Sequence, residues 1–196
     1  FTLIDEQKVA YEKALSIAKN PQNKKSVLIV KGGPGTGKSV ISMNLLGGLL
    51  KEGLNINFVA PNSSFREVMV ARLAKTNSKT RLKNLFKGSA GFVETTEDVF
   101  DVLVVDEAHR LKKKGAYQYK GLNQVMDIVK STRLAVFFVD DNQMIRPDDI
   151  GSVSEIRRVA ACYNAQIEEI DLVAQFRCSG AEGYLNGLDN TLQIKE

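Results

Sequence analysis

The residues best suited to chemistry are Gly32-Gly33-Pro34-Gly35-Thr36-Gly37-Lys38-Ser39. Their spacing, G-x-x-x-x-G-K-S, is that of a loop that wraps phosphate. Glycines leave room for successive backbone N–H groups to point at one anion, so Gly33, Pro34, Gly35, Thr36 and Gly37 are candidate loop residues. A helix beginning at Lys38 would add the positive end of its dipole. Lys38 can bring a point charge to the β- and γ-phosphates of a nucleotide, and the Ser39 hydroxyl can ligate Mg²⁺. The alternative is a glycine-rich turn that binds nothing.

A second group, Asp106-Glu107-Ala108-His109, directly follows the apolar run Asp101–Val105. A carboxylate at the C-terminal end of a parallel strand points into the crevice where ligands bind. Asp106 is suited to hold Mg²⁺ and Glu107 to deprotonate an attacking water; an acidic pair that caps the next helix is the alternative. His109, the one histidine of the chain, lacks the Cys or His partners of a metal site. It could link the acidic pair to the next strand by a hydrogen bond, or lie on the surface.

Two further groups leave two readings each. Asp140-Asp141-Asn142-Gln143 follows the apolar run Leu134–Val139. The Gln143 amide could hydrogen-bond the γ-phosphate or the attacking water if its strand neighbours the glycine loop; a polar turn is the other reading. Arg177, in Gln175-Phe176-Arg177, could reach the γ-phosphate across a cleft as an arginine finger. An ordinary surface salt bridge fits the same residue.

The elements that must position these residues alternate along the chain. The apolar spacing predicts helices over Asp5–Ala18, Lys38–Leu50, Ser63–Lys75, Leu122–Lys130 and Ile150–Tyr163. Continuous apolar runs predict strands over Ser26–Lys31, Ile56–Ala60, Asp101–Val105, Leu134–Val139 and from Gln166 to Ile170. Strands separated by helices imply parallel βαβ units, an α/β sheet with helices on both faces. The stretch Thr76–Thr96 is harder to place, with a short strand expected near Gly91-Phe92-Val93.

Composition narrows the class. The chain has 196 residues, 43% apolar and 26% charged, which argues against disorder and a disulfide-knotted miniprotein. Its longest apolar run, Leu134–Val139, has six residues, far short of the roughly 18 needed to cross a bilayer, so no membrane partner is expected. No signal peptide is visible. Cys162 and Cys178 are the two cysteines, read as reduced thiols in a cytoplasmic setting. The net charge is +4, unevenly spread: Arg66–Lys87 holds seven basic residues and one acid. Such a region suits a polyanion, or is a solvated lysine face.

Taken together and in order, these motifs resemble a superfamily 1 DNA/RNA helicase motor, and most closely the bacterial Schlafen group 3-like helicase domain. GGPGTGKS resembles motif I, DEAH motif II, DDNQ motif III, and LVAQFRC at 172–178 the motif IV segment that carries an arginine finger. The resemblance implies a RecA-like P-loop NTPase, a three-layer sandwich that binds ATP and Mg²⁺. It gives catalytic roles to Lys38, Asp106, Glu107, Gln143 and Arg177, and metal binding to Ser39 and Asp106. Leu3-Ile4-Asp5-Glu6-Gln7 is similar to the Q motif, in which Gln7 would read the adenine edge. Phe58-Val59-Ala60-Pro61-Asn62-Ser63 is similar to motif Ia, which implies that Pro61, Asn62 and Ser63 touch single-stranded DNA or RNA. No segment after Arg177 resembles motifs V and VI. The resemblance therefore implies a first motor domain over 1–170 and the opening of a second over 171–196, with the rest of that C-terminal motor domain as a partner from a longer protein. A nucleotide-gated signalling module that uses ATP as a switch is the alternative.

Overall fold

A computed structural model describes residues 3, 5–20, 24–74, 79–113 and 119–173. Helix α1 (Asp5–Lys19) leads into β1 (Ser26–Gly32), α2 (Lys38–Lys51), β2 (Ile56–Val59), α3 (Ser63–Leu73), α4 (Lys79–Leu85), β3 (Phe86–Lys87) and β4 (Phe100–Val105). Then come α5 (Gln124–Ser131), β5 (Thr132–Val139), α6 (Val153–Cys162) and β6 (Gln166–Leu172). The six strands form one sheet in the order β3-β2-β4-β5-β1-β6, parallel at every pairing.

The strands are apolar on both faces, and their alternation assigns each face its helices. Leu28, Val30, Phe58, Val102, Val104, Val136 and Phe138 pack with α1, α2 and residues of α3 and α4. Val27, Ile29, Val59, Leu103, Val105, Ala135, Phe137 and Val139 face the other way and pack with α5 and α6. The expected three-layer α/β sandwich is thus observed. At Gly48 the Tyr11 ring occupies the space a side chain would need, with its hydroxyl oxygen 2.5 Å from where a Cβ would sit. This lets α1 lie close on α2. No helix among the described residues is long and apolar enough to cross a membrane.

Several boundaries differ from the sequence reading. Residues 91–93 do not form a strand. Ser89–Phe92 is a 3-10 turn, and Phe92 is buried against Phe100, ring centroids 5.9 Å apart. The expected strand is thus replaced by an apolar plug, with Phe92 buried instead of paired in the sheet. The short edge strand is instead Phe86–Lys87, paired with Phe58 and Val59. Helix α6 begins at Val153, because the Ser152 hydroxyl caps it by accepting from Glu155 N. Helix α5 begins at Gln124, with Asn123 Oδ1 accepting from Val125 N and Met126 N.

Candidate functional site

The glycine loop joins β1 to α2 as expected. Gly35 and Gly37 adopt φ of 79° and 84°, the left-handed region that glycine enters without strain. Gly37 is the N-cap of α2 without a side-chain cap, and the first turn carries no acid. The helix therefore offers bare N–H groups and an unopposed positive dipole end, the setting an anion requires. Thr36 Oγ1 donates to Gly33 O at 3.0 Å and closes the loop on itself. Gln7, on the first turns of α1, braces it from behind: Nε2 donates to Thr36 O at 3.1 Å. A Cβ on Gly37 would collide with that amide nitrogen, so glycine here serves both conformation and close approach.

Strand order brings the remaining groups to this loop. Strand β5 lies between β1 and β4, so the turn after β5 sits between the loop and the acidic pair. Lys38 Nζ donates to Gly32 O at 2.6 Å and Gly33 O at 2.8 Å, and lies 3.8 Å from Asp140 Oδ2. Burial lowers the pKa of this ammonium, against the opposite pull of Asp140, Asp106 and Glu107. The Asp140 carboxylate also accepts from Asn142 N at 3.1 Å and Gln143 Nε2 at 2.9 Å. Gln143 is thus connected to the lysine through Asp140.

Asp106 directly follows β4, is 3% exposed, and its N–H donates to Val59 O at 3.0 Å. Burial pushes its pKa up to about 6, and a hydrogen bond with Ser39 partly offsets this. A buried carboxylate joined to a hydroxyl is a fitting pair of oxygen ligands for a hard cation that also holds phosphate. Among the described residues no group of three or more His, Cys, Asp or Glu gathers as a metal site. A magnesium ion here would thus take its other ligands from water and phosphate.

Glu107 has φ 52° and ψ 43°, left-handed backbone in a residue with a Cβ, which costs on the order of 1–3 kcal/mol. Its carboxylate is half-buried. Oε2 lies 3.0 Å from Arg110 Nε and 3.5 Å from His109 Nε2. The His109 ring beside it, followed by Arg110 and Lys38, holds its pKa below the usual carboxylate value against burial. The 3.5 Å contact falls short of hydrogen-bond geometry: both ring nitrogens of His109, a fully buried residue, lack a hydrogen-bond partner. His109 is therefore a core residue under the acidic pair, not a surface one.

Pro61, Asn62 and Ser63 follow β2 at the same end of the sheet, with Asn62 and Ser63 exposed. Asn62 Oδ1 accepts from Ser64 N at 3.0 Å and caps α3, so its side chain has a structural role. Arg177 lies outside the described residues. Sequence reasoning did not assign roles to Arg110 or Asp140. The Glu107–Arg110 spacing of three residues was a readable sign of the first; nothing short of the sheet order could disclose the second.

Residues 25–196 match the family described as Schlafen group 3, DNA/RNA helicase domain. The chain belongs to that family. This Schlafen group 3 domain is a P-loop NTPase by fold and by the geometry of its loop. It is also similar to the chromosomal replication initiator protein DnaA of Borrelia turicatae (strain 91E135), 27% identical over 143 residues, 71% of this chain and 27% of that protein. The DnaA of Borrelia hermsii (strain HS1 / DAH) is 27% identical over 136 residues, 68% of this chain and 25% of that protein. The chain thus spans about a quarter of the length of these curated relatives. Among solved structures, AMPPCP-bound DnaA from Aquifex aeolicus aligns at TM-score 0.46 and 15% identity, covering 99% of this chain and 62% of that one. The DnaC helicase loader aligns at TM-score 0.43 and 14% identity, covering 88% of this chain and 93% of that one.

Proposed function

We propose that this domain binds Mg²⁺ and ATP at residues 32–39 and hydrolyses the β–γ bond as the first motor domain of a superfamily 1 DNA/RNA helicase or translocase. The observation that supports this best is the meeting of Lys38, Ser39, Asp106, Glu107 and Asp140 at the C-terminal ends of β1, β4 and β5. Lys38 would leave its two loop carbonyls to meet the β/γ-phosphates beside the loop amides. Ser39 and Asp106 would hold the metal, which supplies charge neutralisation at the transferring phosphoryl group. Glu107 would take the proton of the attacking water, and Gln143 would orient that water through its bond to Asp140. Gln7 would read adenine and pass its presence to the loop through Thr36. Residues 1–170 form the first motor domain in this reading, and 171–196 open the second, which brings Arg177. Single-stranded DNA or RNA would lie across Pro61, Asn62 and Ser63 and part of the basic region 66–87.

The test is ATP hydrolysis by the longer protein with and without single-stranded DNA and RNA. Stimulation that falls steeply with salt is expected. Lys38→Ala should lose both nucleotide affinity and turnover. Glu107→Gln should keep affinity and lose turnover by on the order of a hundredfold or more. Nucleotide binding without hydrolysis in the wild type would instead mark a nucleotide-gated switch. Undiminished turnover in both variants would remove the catalytic assignment.

A further inference from the structure

The loop between Gln143 and α6 does more than connect two elements. It closes on itself: Arg146 N donates to Asp149 Oδ2 at 3.0 Å and Asp149 N to Arg146 O at 3.0 Å. It is then fastened across the segment that follows the acidic pair. Ile150 N donates to Leu111 O at 2.8 Å, and Lys113 N donates to Asp148 O at 3.3 Å. Lys112 Nζ pairs with Asp148 Oδ1 at 3.1 Å and also with Asp149 Oδ1. Its far end is tied to the turn that carries Gln143, since Val153 N donates to Asp141 Oδ1 at 3.1 Å.

Gly151 is the point of closest approach. A Cβ there would fall well inside contact with the Ala108 carbonyl oxygen, 2.5 Å from Ala108 C and 3.1 Å from His109 Cα. These are backbone atoms and cannot swing aside. The backbone of Gly151 is not left-handed, so glycine is required here for space alone. The Ala108 carbonyl it presses on accepts from Leu111 N at 3.0 Å, one of the two bonds that close the turn after Glu107; the other runs from Arg110 N to Glu107 O at 3.0 Å. That turn begins with Glu107 in its left-handed conformation. A strained residue persists only where its surroundings over-determine it.

We propose that residues 146–151 form a clasp that keeps the Glu107 backbone in its left-handed turn, and that Gly151 is a positioning residue for the hydrolytic site. This rests on the function proposed above for Glu107. Gly151 touches no substrate; it acts through the Ala108 peptide, one link from the carboxylate carrier. A shift of about 1 Å at a reacting group can cost on the order of a hundredfold in rate, and any side chain at 151 forces a shift of that size.

The experiment compares the longer wild-type protein with Gly151→Ala and Lys112→Met, the second loosening the clasp without adding atoms beside Ala108. Steady-state ATP hydrolysis with single-stranded nucleic acid should show kcat at least tenfold lower in Gly151→Ala, with KM for ATP within about threefold, because the phosphate loop is on another strand. Lys112→Met should show a smaller fall in kcat at unchanged KM. Hydrogen exchange at the Arg110 and Leu111 amides should be faster in both variants, and thermal unfolding identifies any variant that has not folded. Should Gly151→Ala not fold, Lys112→Met carries the same comparison. A kcat within twofold of wild type overturns the proposal, as does a KM that rises in parallel with the loss of kcat. If the wild type does not hydrolyse ATP, the hydrolytic reading fails by itself, and the exchange rates decide the clasp: faster exchange supports it, unchanged exchange overturns it.

Discussion

Glu107 offers a stability measurement whose sign is reversed from the ordinary one. In a helix interior, replacing Ala by Gly costs about 1 kcal/mol. At φ 52° and ψ 43° the order inverts. A residue with a Cβ suffers roughly 1–2 kcal/mol from the clash with the neighbouring carbonyl, whereas glycine suffers none. Glycine gives back about 0.5–1 kcal/mol through the greater freedom of the unfolded chain. Glu107→Gly and Glu107→Ala both lose the carboxylate and its contacts with Arg110 and His109, so those losses cancel between them. Glu107→Gly should therefore be the more stable of the two by about 0.75 kcal/mol at the midpoints of these ranges, a difference of roughly 1.5–3 °C in Tm for a domain of this size. The control is the same pair at Lys8, on α1 with a side chain 64% exposed, where Ala should win. Urea and thermal unfolding of the four variants, free of nucleotide, read both differences. If Ala is as stable as Gly at 107, the left-handed strain assigned to this residue is refuted, and with it the need for a clasp.

Two pH experiments follow from the buried and paired carboxylates. Asp106 has its pKa raised from 3.8 to about 6 by burial, so the folded state binds its proton more tightly. Its contribution is full below about pH 3.8 and is lost as pH rises through about 6. At pH 8 without metal, Asp106→Asn should be more stable than wild type by on the order of 2–3 kcal/mol, and added Mg²⁺ should narrow the gap. A variant less stable than wild type at pH 8 would refute the cost assigned to this burial. Glu169 behaves oppositely: Arg157, with Nε 2.5 Å from Oε1 and Nη2 2.7 Å from Oε2, leads the causes that hold it at about 2 against an ordinary 4.5. Its contribution is present above about pH 4.5 and is lost as pH falls toward 2. Glu169→Gln should lower the urea midpoint at pH 6 and lower it much less near pH 2, where the native carboxylate is about half protonated; an equal effect at both would show the ion pair to be irrelevant.

What the sequence disclosed, and what it withheld, follows from the range of the interactions. The loop at 32–39 and the pair at 106–107 announce themselves because each is set by local backbone demands, glycine at positive φ and a carboxylate at a strand end. The strands were legible because burial on both faces leaves uninterrupted apolar runs such as Leu134–Val139. Helix α4 was not, since among its seven residues Leu82 is the one buried side chain and a single apolar residue sets no period. Gly151 was invisible for a related reason. Its value lies in a carbonyl more than forty residues earlier in the chain, and nothing in its neighbours marks that meeting.

The sheet order carries the part of the site that no motif spells out. Lys38 opens the helix after β1 and the acidic pair follows β4; these two strands do not touch. Strand β5 separates them, so whatever follows β5 must lie between the cation and the carboxylates. Asp140 and Gln143 occupy that position, one facing Lys38 and the other bonded to it. The same chain then runs on through Asp141 and Gly151 to the peptide beside Glu107. In the proposed motor, a shift of the turn at 141–143 would reach the lysine through Asp140 and the glutamate through Asp141 and Gly151. A polar turn at the end of β5 lies between the two halves of the site because β5 lies between β1 and β4.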